Sequence, residues 1–196
     1  MSLASVMLDI PEIRARVAPV TVEQYHRFPE FDADGRRTEL IRGILIEKMS
    51  KSPLHSSIAR RLFMLLQGVV PPGFVLLRED PLTFADSEPE PDLAIVRGVE
   101  QDFASRHPNT AELVIEIAVS SVALDREKAA IYAEAGVSEY WIVLPAQHRV
   151  EVHCRPENGR YSEVRVVAGD DLLASAGFPM ARVDLAELFG KERLDA

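Results

Sequence analysis

The sequence predicts a mixed α/β domain in which helices pack against one central sheet. Apolar runs typical of strands alternate with segments of helical periodicity, and prolines and glycines separate them. The predicted order is helix, strand, helix, several strands, helix, strand and hairpin. No segment repeats another, so a repeat architecture is not expected.

The bulk composition indicates one globular domain. The chain has 196 residues, of which 47% are hydrophobic and 27% charged, as in ordinary folded proteins. We assign residues 21–196 to this domain and interpret residues 1–20 as a loose or partner-dependent N-terminal segment. No apolar run reaches the ~18 residues of a membrane span, and the N-terminus does not resemble a secretory signal. We expect a cytoplasmic protein, which the single cysteine, Cys154, also fits.

The formal net charge of −9 does not favour binding of nucleic acid through an overall basic surface. One part of the chain has a local positive excess, and its residues could face phosphate or simply be solvated. They are Arg36, Arg37, Arg42, Lys48, Lys51, Arg60 and Arg61. P-loop, Rossmann, zincin and α/β-hydrolase chemistry is disfavoured because the motifs of those classes are absent from the sequence.

Helix caps and strand alternation predict the first half of the domain. Thr21 and Gln24 form a capping box at the start of a short helix. Residues 38–49 alternate as one strand, in which Gly43 marks a bulge or a close approach. Ser52, followed by a proline, begins a second helix. Its predicted apolar face consists of Leu54, Ile58, Leu62, Leu65, Leu66 and Val69.

Strands dominate the second half, and one longer helix interrupts them. The strands are predicted at 74–80, 88–96, 112–118 and 140–145, and residues 82–84 form either a short strand or a continuation of the first of these. The helix spans residues 121–135 and ends at Gly136. Residues 149–155 and 160–167 form a C-terminal hairpin around the turn PENG. Asp184 caps a short final helix.

Two acids lie on predicted strands. Glu116 shares a strand face with Val114 and Ala118, and a buried carboxylate must be paired, protonated or bound to a cation. A position facing water, or a salt bridge, is an equal alternative. Asp92 begins another strand after Pro91, where a simple turn residue is also common. If the two strands are antiparallel neighbours, both acids could bind one Mg²⁺ or Mn²⁺ ion.

The helix at 121–135 carries Lys128, with Asp125 and Tyr132 on the same face. A lysine beside a metal-bound water could orient that water or stabilise charge on a phosphorane. A solvated lysine in a charged run is the more common case.

Glu39 and His55 are further candidates. Glu39, at the start of its strand, could add a carboxylate, and an ion pair with Arg36, Arg37 or Arg42 is an equal alternative. His55 lies in the first turn of its helix, where a capping or surface role is more common than catalysis.

Pro91-Asp92, Glu116 and a lysine resemble the active-site signature of the PD-(D/E)XK nuclease superfamily. More narrowly, the chain is similar to the restriction-endonuclease-like family abundant in cyanobacteria and other bacteria. The segments that carry this resemblance are ELIRGIL (39–45), SPLHSSI (52–58), PDLAIV (91–96), LVIEIAVSS (113–121), DREKAAIYAEAGVSEYWIV (125–143) and VDLAELF (183–189). Ala118 stands where the superfamily has lysine. In this family the next helix supplies the lysine, and Lys128 is the match.

The resemblance implies an αβββαβ core and Mg²⁺-dependent hydrolysis of DNA phosphodiesters, with Mn²⁺ as an alternative cofactor. Asp92, Glu116 and the backbone carbonyl of Ile117 would hold the metal, and Lys128 would position the attacking water. A homodimer would cut two strands. The auxiliary residues would be Glu39, His55, Asp125 and Tyr132.

Two other functions fit the same pattern. A catalytically silent protein could keep the nuclease fold to bind DNA or a protein partner, and the acidic net charge favours this interpretation. The second alternative is a nuclease that acts on RNA or on a special DNA structure. The complete set of Asp92, Glu116 and Lys128 favours an enzyme, and we expect these three side chains to share one pocket.

Overall fold

The computed structural model describes residues 9–27, 38–179 and 181–190. Its α-helices are α1 (Pro11–Arg14), α2 (Val22–Arg27), α3 (Pro53–Gln67), α4 (Val122–Glu134) and α5 (Leu185–Phe189). Its strands are β1 (Thr38–Ile41), β2 (Ile44–Glu47), β3 (Phe74–Leu77), β4 (Leu93–Arg97), β5 (Leu113–Ile117), β6 (Glu139–Leu144), β7 (Arg149–Glu157), β8 (Arg160–Ala168), β9 (Leu172–Ala174) and β10 (Arg182–Asp184). None of the described helices is both long and apolar enough to cross a bilayer.

A six-stranded mixed sheet has the order β3-β4-β5-β6-β7-β8. Strands β3, β4 and β5 pair antiparallel, and β6 is parallel to β5. A parallel pair requires a crossover connection, which α4 supplies between β5 and β6. The run α3-β3-β4-β5-α4-β6 confirms the predicted αβββαβ core. The antiparallel pair β7 and β8 confirms the C-terminal hairpin and extends the sheet by two strands.

The two faces of the sheet bury separate apolar clusters. On one face Ile115 and Ile117 of β5 pack in a cluster with Leu62 of α3. On the other face Val114 and Tyr132 belong to a second cluster, which joins β5 to α4. This division confirms the alternation predicted for β5, because successive strand residues point to opposite faces.

The predicted caps are present. Thr21 N donates to Gln24 Oε1 at 2.9 Å, and Gln24 N donates to Thr21 Oγ1 at 3.1 Å. Ser52 Oγ accepts from the amide of His55 at 3.2 Å at the start of α3. Asp184 accepts from the amide of Ala186 at 2.8 Å at the start of α5. These side chains bind backbone amides that a helix start leaves unpaired.

The single strand predicted at 38–49 is wrong, because β1 and β2 form an antiparallel hairpin. Arg42 and Gly43 both have positive φ, 52° and 72°, as a two-residue type I′ turn requires. The predicted close approach at Gly43 is confirmed, since an added Cβ would lie 2.4 Å from Pro19 Cβ. The interpretation of residues 1–20 as a loose or partner-dependent segment stays a prediction.

Other details also differ from the prediction, among them the bounds of some strands. Residues 82–84 form no strand, because Phe84 N donates to Ser87 O at 2.8 Å in a local turn. Leu54, assigned to the apolar face of α3, is 47% exposed, whereas Ile58 and Leu62 are buried. The first turn of α3 therefore precedes the part of the helix that covers the sheet.

A buried carboxylate attaches the C-terminal segment to the sheet. Glu139 is fully buried at the start of β6. Its Oε1 accepts from Trp141 Nε1 at 2.6 Å, and its Oε2 accepts from Ser175 Oγ and Ala176 N, both at 2.8 Å. Because several donors satisfy the carboxylate, its burial is tolerable without a paired cation.

We predict that Leu62→Ala lowers the free energy of unfolding by about 2–5 kcal/mol, the usual cost of a cavity at a fully buried leucine. Leu54→Ala, the same substitution on the same helix, should change it by less than about 1 kcal/mol. Urea unfolding followed by tryptophan fluorescence measures both values. Equal losses would contradict the placement of Leu54 at the surface.

Candidate active site

A cleft of about 150 Å³ opens at one edge of the sheet. Because β4 and β5 are antiparallel, the residue before β4 lies beside the C-terminal end of β5. The structure therefore brings Asp92 and Glu116 to the same edge, as the antiparallel pairing predicted. The predicted residues that line the cleft are Glu39, His55, Asp92, Glu116, Ile117, Asp125 and Lys128.

Asp92 is held through both of its carboxylate oxygens. Oδ2 accepts from the amide of Ile117 at 2.8 Å and lies 3.0 Å from His55 Nε2. Oδ1 accepts from Lys51 Nζ at 3.0 Å. Burial would raise the pKa of Asp92, but the hydrogen bond and charge of His55 and the charge of Lys51 lower it below its usual range. Asp92 is therefore an ionised acceptor, and His55 Nε2 carries the donated hydrogen.

Lys128 lies between two acids. Its Nζ is 2.6 Å from Glu39 Oε2 and 2.9 Å from Glu116 Oε1. All three residues are buried, and Lys128 is only 3% exposed. The prediction that Lys128 points into the pocket of Asp92 and Glu116 is confirmed, and the solvated alternative is wrong for this lysine.

The two auxiliary residues of α4 occupy different positions around Lys128. Tyr132 lies behind the cleft and donates its hydroxyl to Glu116 Oε1 at 3.1 Å. Asp125 lines the cleft, where its Oδ2 accepts from Ser121 Oγ at 2.5 Å. Tyr132 thus fixes the orientation of the Glu116 carboxylate from the protein interior.

The site also contains four charged residues that were not predicted from the sequence to belong to it. Lys48 Nζ is 3.4 Å from Glu39 Oε1 and 3.2 Å from Glu90 Oε1. Lys51 bridges Asp92 to Glu79, whose Oε1 is 3.1 Å away. Lys48 and Lys51 belong to the basic segment noted above, which was the available signal. No comparable signal marks Glu79 or Glu90.

The other basic residues of that segment serve different purposes. Arg42 pairs with Asp86 and Glu134 rather than with Glu39, so the arginine alternative for Glu39 is wrong at this position. Arg61 donates to the carbonyl of Leu188 at 2.9 Å. Arg36 and Arg37 lie outside the described residues.

The cleft holds more negative than positive charge. Six carboxyl and three ammonium groups line it, an excess of three negative charges when all are ionised. Burial raises the pKa of the Glu116 carboxyl well above its usual range, although Lys128 opposes the shift. Burial would lower the pKa of Lys128, but Glu116, Glu39 and Asp125 raise it above its usual range. The ammonium is therefore permanently charged, and one cation does not offset the acids around it.

The oxygen donors of the cleft fit a hard divalent cation such as Mg²⁺ or Mn²⁺. Asp92 and Glu116 provide carboxylates at one edge of the sheet, and Ile117 provides a backbone carbonyl beside them. Among the described residues, however, no three His, Cys, Asp or Glu side chains stand together as a preformed metal cage. Cationic side chains bind the acids instead, so the donor chemistry fits a metal once these ion pairs rearrange.

Comparison with known proteins agrees with this architecture. A profile of the Uma2 family, described as "Putative restriction endonuclease", matches residues 22–186. The chain belongs to the Uma2 family. A crystal structure described as "a putative nuclease belonging to DUF820" from Anabaena variabilis superimposes on this Uma2 chain with a TM-score of 0.73. It is 22% identical, and the match covers 87% of this chain and 98% of that one. No curated protein matches the sequence.

These comparisons confirm the restriction-endonuclease-like fold, and the family description supports a nuclease. They do not test the assignment of roles to individual site residues of this Uma2 protein, which stays a prediction.

We predict that Lys128→Met lowers the free energy of unfolding by about 3–5 kcal/mol, because it leaves buried carboxylates without their cation. Adding Glu116→Gln to the same protein should restore part of the loss, because an amide at this position leaves one acid fewer in the cluster. Chemical denaturation at neutral pH measures the free energy of unfolding of the wild type, the single variants and the double variant, which together form a double-mutant cycle.

Arg97→Met is the control for this cycle, because it breaks an ion pair with Glu112 in which the arginine side chain is 71% exposed. It should cost less than about 1 kcal/mol. A double variant no more stable than Lys128→Met alone would contradict the account of the site as an over-acidic cluster around one ammonium.

Proposed function

We propose that this Uma2 protein is a divalent-cation-dependent endonuclease that hydrolyses phosphodiester bonds of DNA. One observation carries the proposal: Lys128, a buried ammonium, lies between Glu39 and Glu116 in the cleft that Asp92 also lines. A lysine and several carboxylates converging at one edge of the sheet is the arrangement that metal-assisted phosphoryl transfer uses.

Fold stability alone is a poor explanation for this arrangement. Removing an ammonium and two carboxylates from water costs several kcal/mol per ion, and apolar side chains of similar volume stabilise a core at least as well. The apolar clusters on both faces of the sheet already provide such a core. Buried ionisable groups with shifted pKa values in a cleft are typical of functional sites.

The residues of the cleft would divide the work as follows. Asp92, Glu116 and the carbonyl of Ile117 would hold the metal, which when bound supplies a Lewis acid and lowers the pKa of a water molecule. Lys128 would orient the attacking water and stabilise negative charge at the phosphate. Glu39 and Tyr132 would keep the lysine and Glu116 in position, and His55 would orient Asp92.

The negative excess in the cleft supports the requirement for a cation. A DNA phosphate approaching six carboxyl and three ammonium groups would be repelled unless added positive charge offset the acids. The overall charge of −9 favours the alternative function of a silent module that binds DNA or a protein partner. A homodimer remains a prediction for either function.

We predict that the wild-type protein cleaves plasmid DNA with Mg²⁺ or Mn²⁺ and is inactive with EDTA. Asp92→Asn and Glu116→Gln should each reduce the cleavage rate by at least about a hundredfold. Mutation of residues that only hydrogen-bond to metal ligands already lowers metal affinity or activity by about 10–100-fold. The measurement is the rate of loss of supercoiled plasmid, with single-stranded DNA and RNA as competing substrates.

Glu112→Gln is the matched control. Glu112 directly precedes β5, at the end of that strand opposite to Glu116, and it pairs with Arg97. It should cleave at the wild-type rate. Cleavage by all variants alike would indicate a contaminating nuclease. DNA binding without cleavage by the wild type would favour the silent module, and faster cleavage of RNA would change the substrate class.

A further inference from the structure

The ammonium group of Lys51 binds one of the two carboxylate oxygens of Asp92. Asp92 Oδ2 is already bound by the amide of Ile117 and by His55 Nε2, at 2.8 and 3.0 Å. The other oxygen, Oδ1, accepts from Lys51 Nζ at 3.0 Å. Any cation that binds Asp92 without breaking the contacts of Oδ2 must therefore approach Oδ1 and compete with Lys51.

The side chain of Lys51 is less buried than that of Lys128. Lys128 lies on α4, and its side chain is only 4% exposed. Lys51 lies in the segment between β2 and α3, and its side chain is 25% exposed at the mouth of the cleft. A long, flexible and partly solvated side chain can leave one acceptor at little cost, whereas a buried one cannot.

Glu79 gives Lys51 a second partner when Asp92 is released. Its Oε1 lies 3.1 Å from Lys51 Nζ, so release of Asp92 leaves the ammonium paired. The backbone next to this acid is also tied to Asp92, because Glu79 N donates to Asp92 O at 3.3 Å. The two acceptors of Lys51 are thus held close together, and a small movement of Nζ away from Asp92 can keep its contact with Glu79.

We infer that Lys51 is a positioning residue that holds Asp92 in the cation-free protein and is displaced from Asp92 Oδ1 when a divalent cation binds. This inference rests on the proposed function, and it assigns to Lys51 the place that the metal takes in the loaded site.

The test is calorimetric titration of Mn²⁺ into the DNA-free protein, with wild type, Lys51→Met and Lys51→Arg compared. Lys51→Met removes the competitor and should tighten the dissociation constant for Mn²⁺ about tenfold, the weight of one hydrogen bond to a charged group. Lys51→Arg keeps a cation and should stay near the wild-type value. A purely structural role for Lys51 predicts the opposite sign, since a misplaced Asp92 would bind the metal more weakly.

Arg97→Met removes one positive charge at the far end of β4, outside the cleft. It controls for the change in net charge and should alter the dissociation constant by less than about twofold, since solvent and salt screen distant charges. Equal or weaker Mn²⁺ binding by Lys51→Met, with clear binding by wild type, would overturn the role of Lys51 and leave the proposed function standing. No Mn²⁺ binding by any variant would overturn both.

Discussion

The ammonium group of Lys128 connects three parts of the chain that fold through separate local interactions. Glu39 reaches it from the β1–β2 hairpin and Glu116 from the central sheet. Lys128 itself comes from α4, which covers the face of the sheet that Glu116 shares with Val114. The small hairpin is not part of the six-stranded sheet, so this charge pairing contributes to fixing its position. The Lys128 ammonium thus contributes both to the geometry of the cleft and to the attachment of the β1–β2 hairpin.

Antiparallel pairing of β4 and β5 provides the second constraint. It places the start of one strand beside the end of the next. Acids 24 positions apart in sequence therefore lie close together, although residues 98–112 separate the two strands along the chain. The backbone amide of Ile117 binds Asp92 directly, which couples the strand register to the orientation of the carboxylate. A one-residue slip would turn Glu116 to the apolar face that contains Ile115. The correct register of the sheet is therefore necessary for Glu116 to reach the site.

Local signals explain what the sequence predicted well. The caps at Thr21, Ser52 and Asp184 involve residues two or three positions apart, and the alternation in β5 is strict, so helices and core strands could be located. The turn at Arg42 lacked the Asn-Gly or Asp-Gly signal that marks such hairpins. The contacts of Lys51 join residues 28 and 41 positions apart, and no periodic pattern reports pairs of that kind. Lys128 was ambiguous on spacing alone, and the prediction of its role depends on the family resemblance.

The carboxylate of Glu139 has a consequence for how the chain tolerates shortening. This carboxylate is fully buried, and it accepts hydrogen bonds from Ser175 and Ala176 of the C-terminal segment. A protease that removed everything after residue 170 would leave this acid with the indole of Trp141 and little else, in an apolar setting. Residues 171–179 and 181–190 contribute no side chain to the cleft, yet contacts from this segment determine whether a shortened domain remains folded.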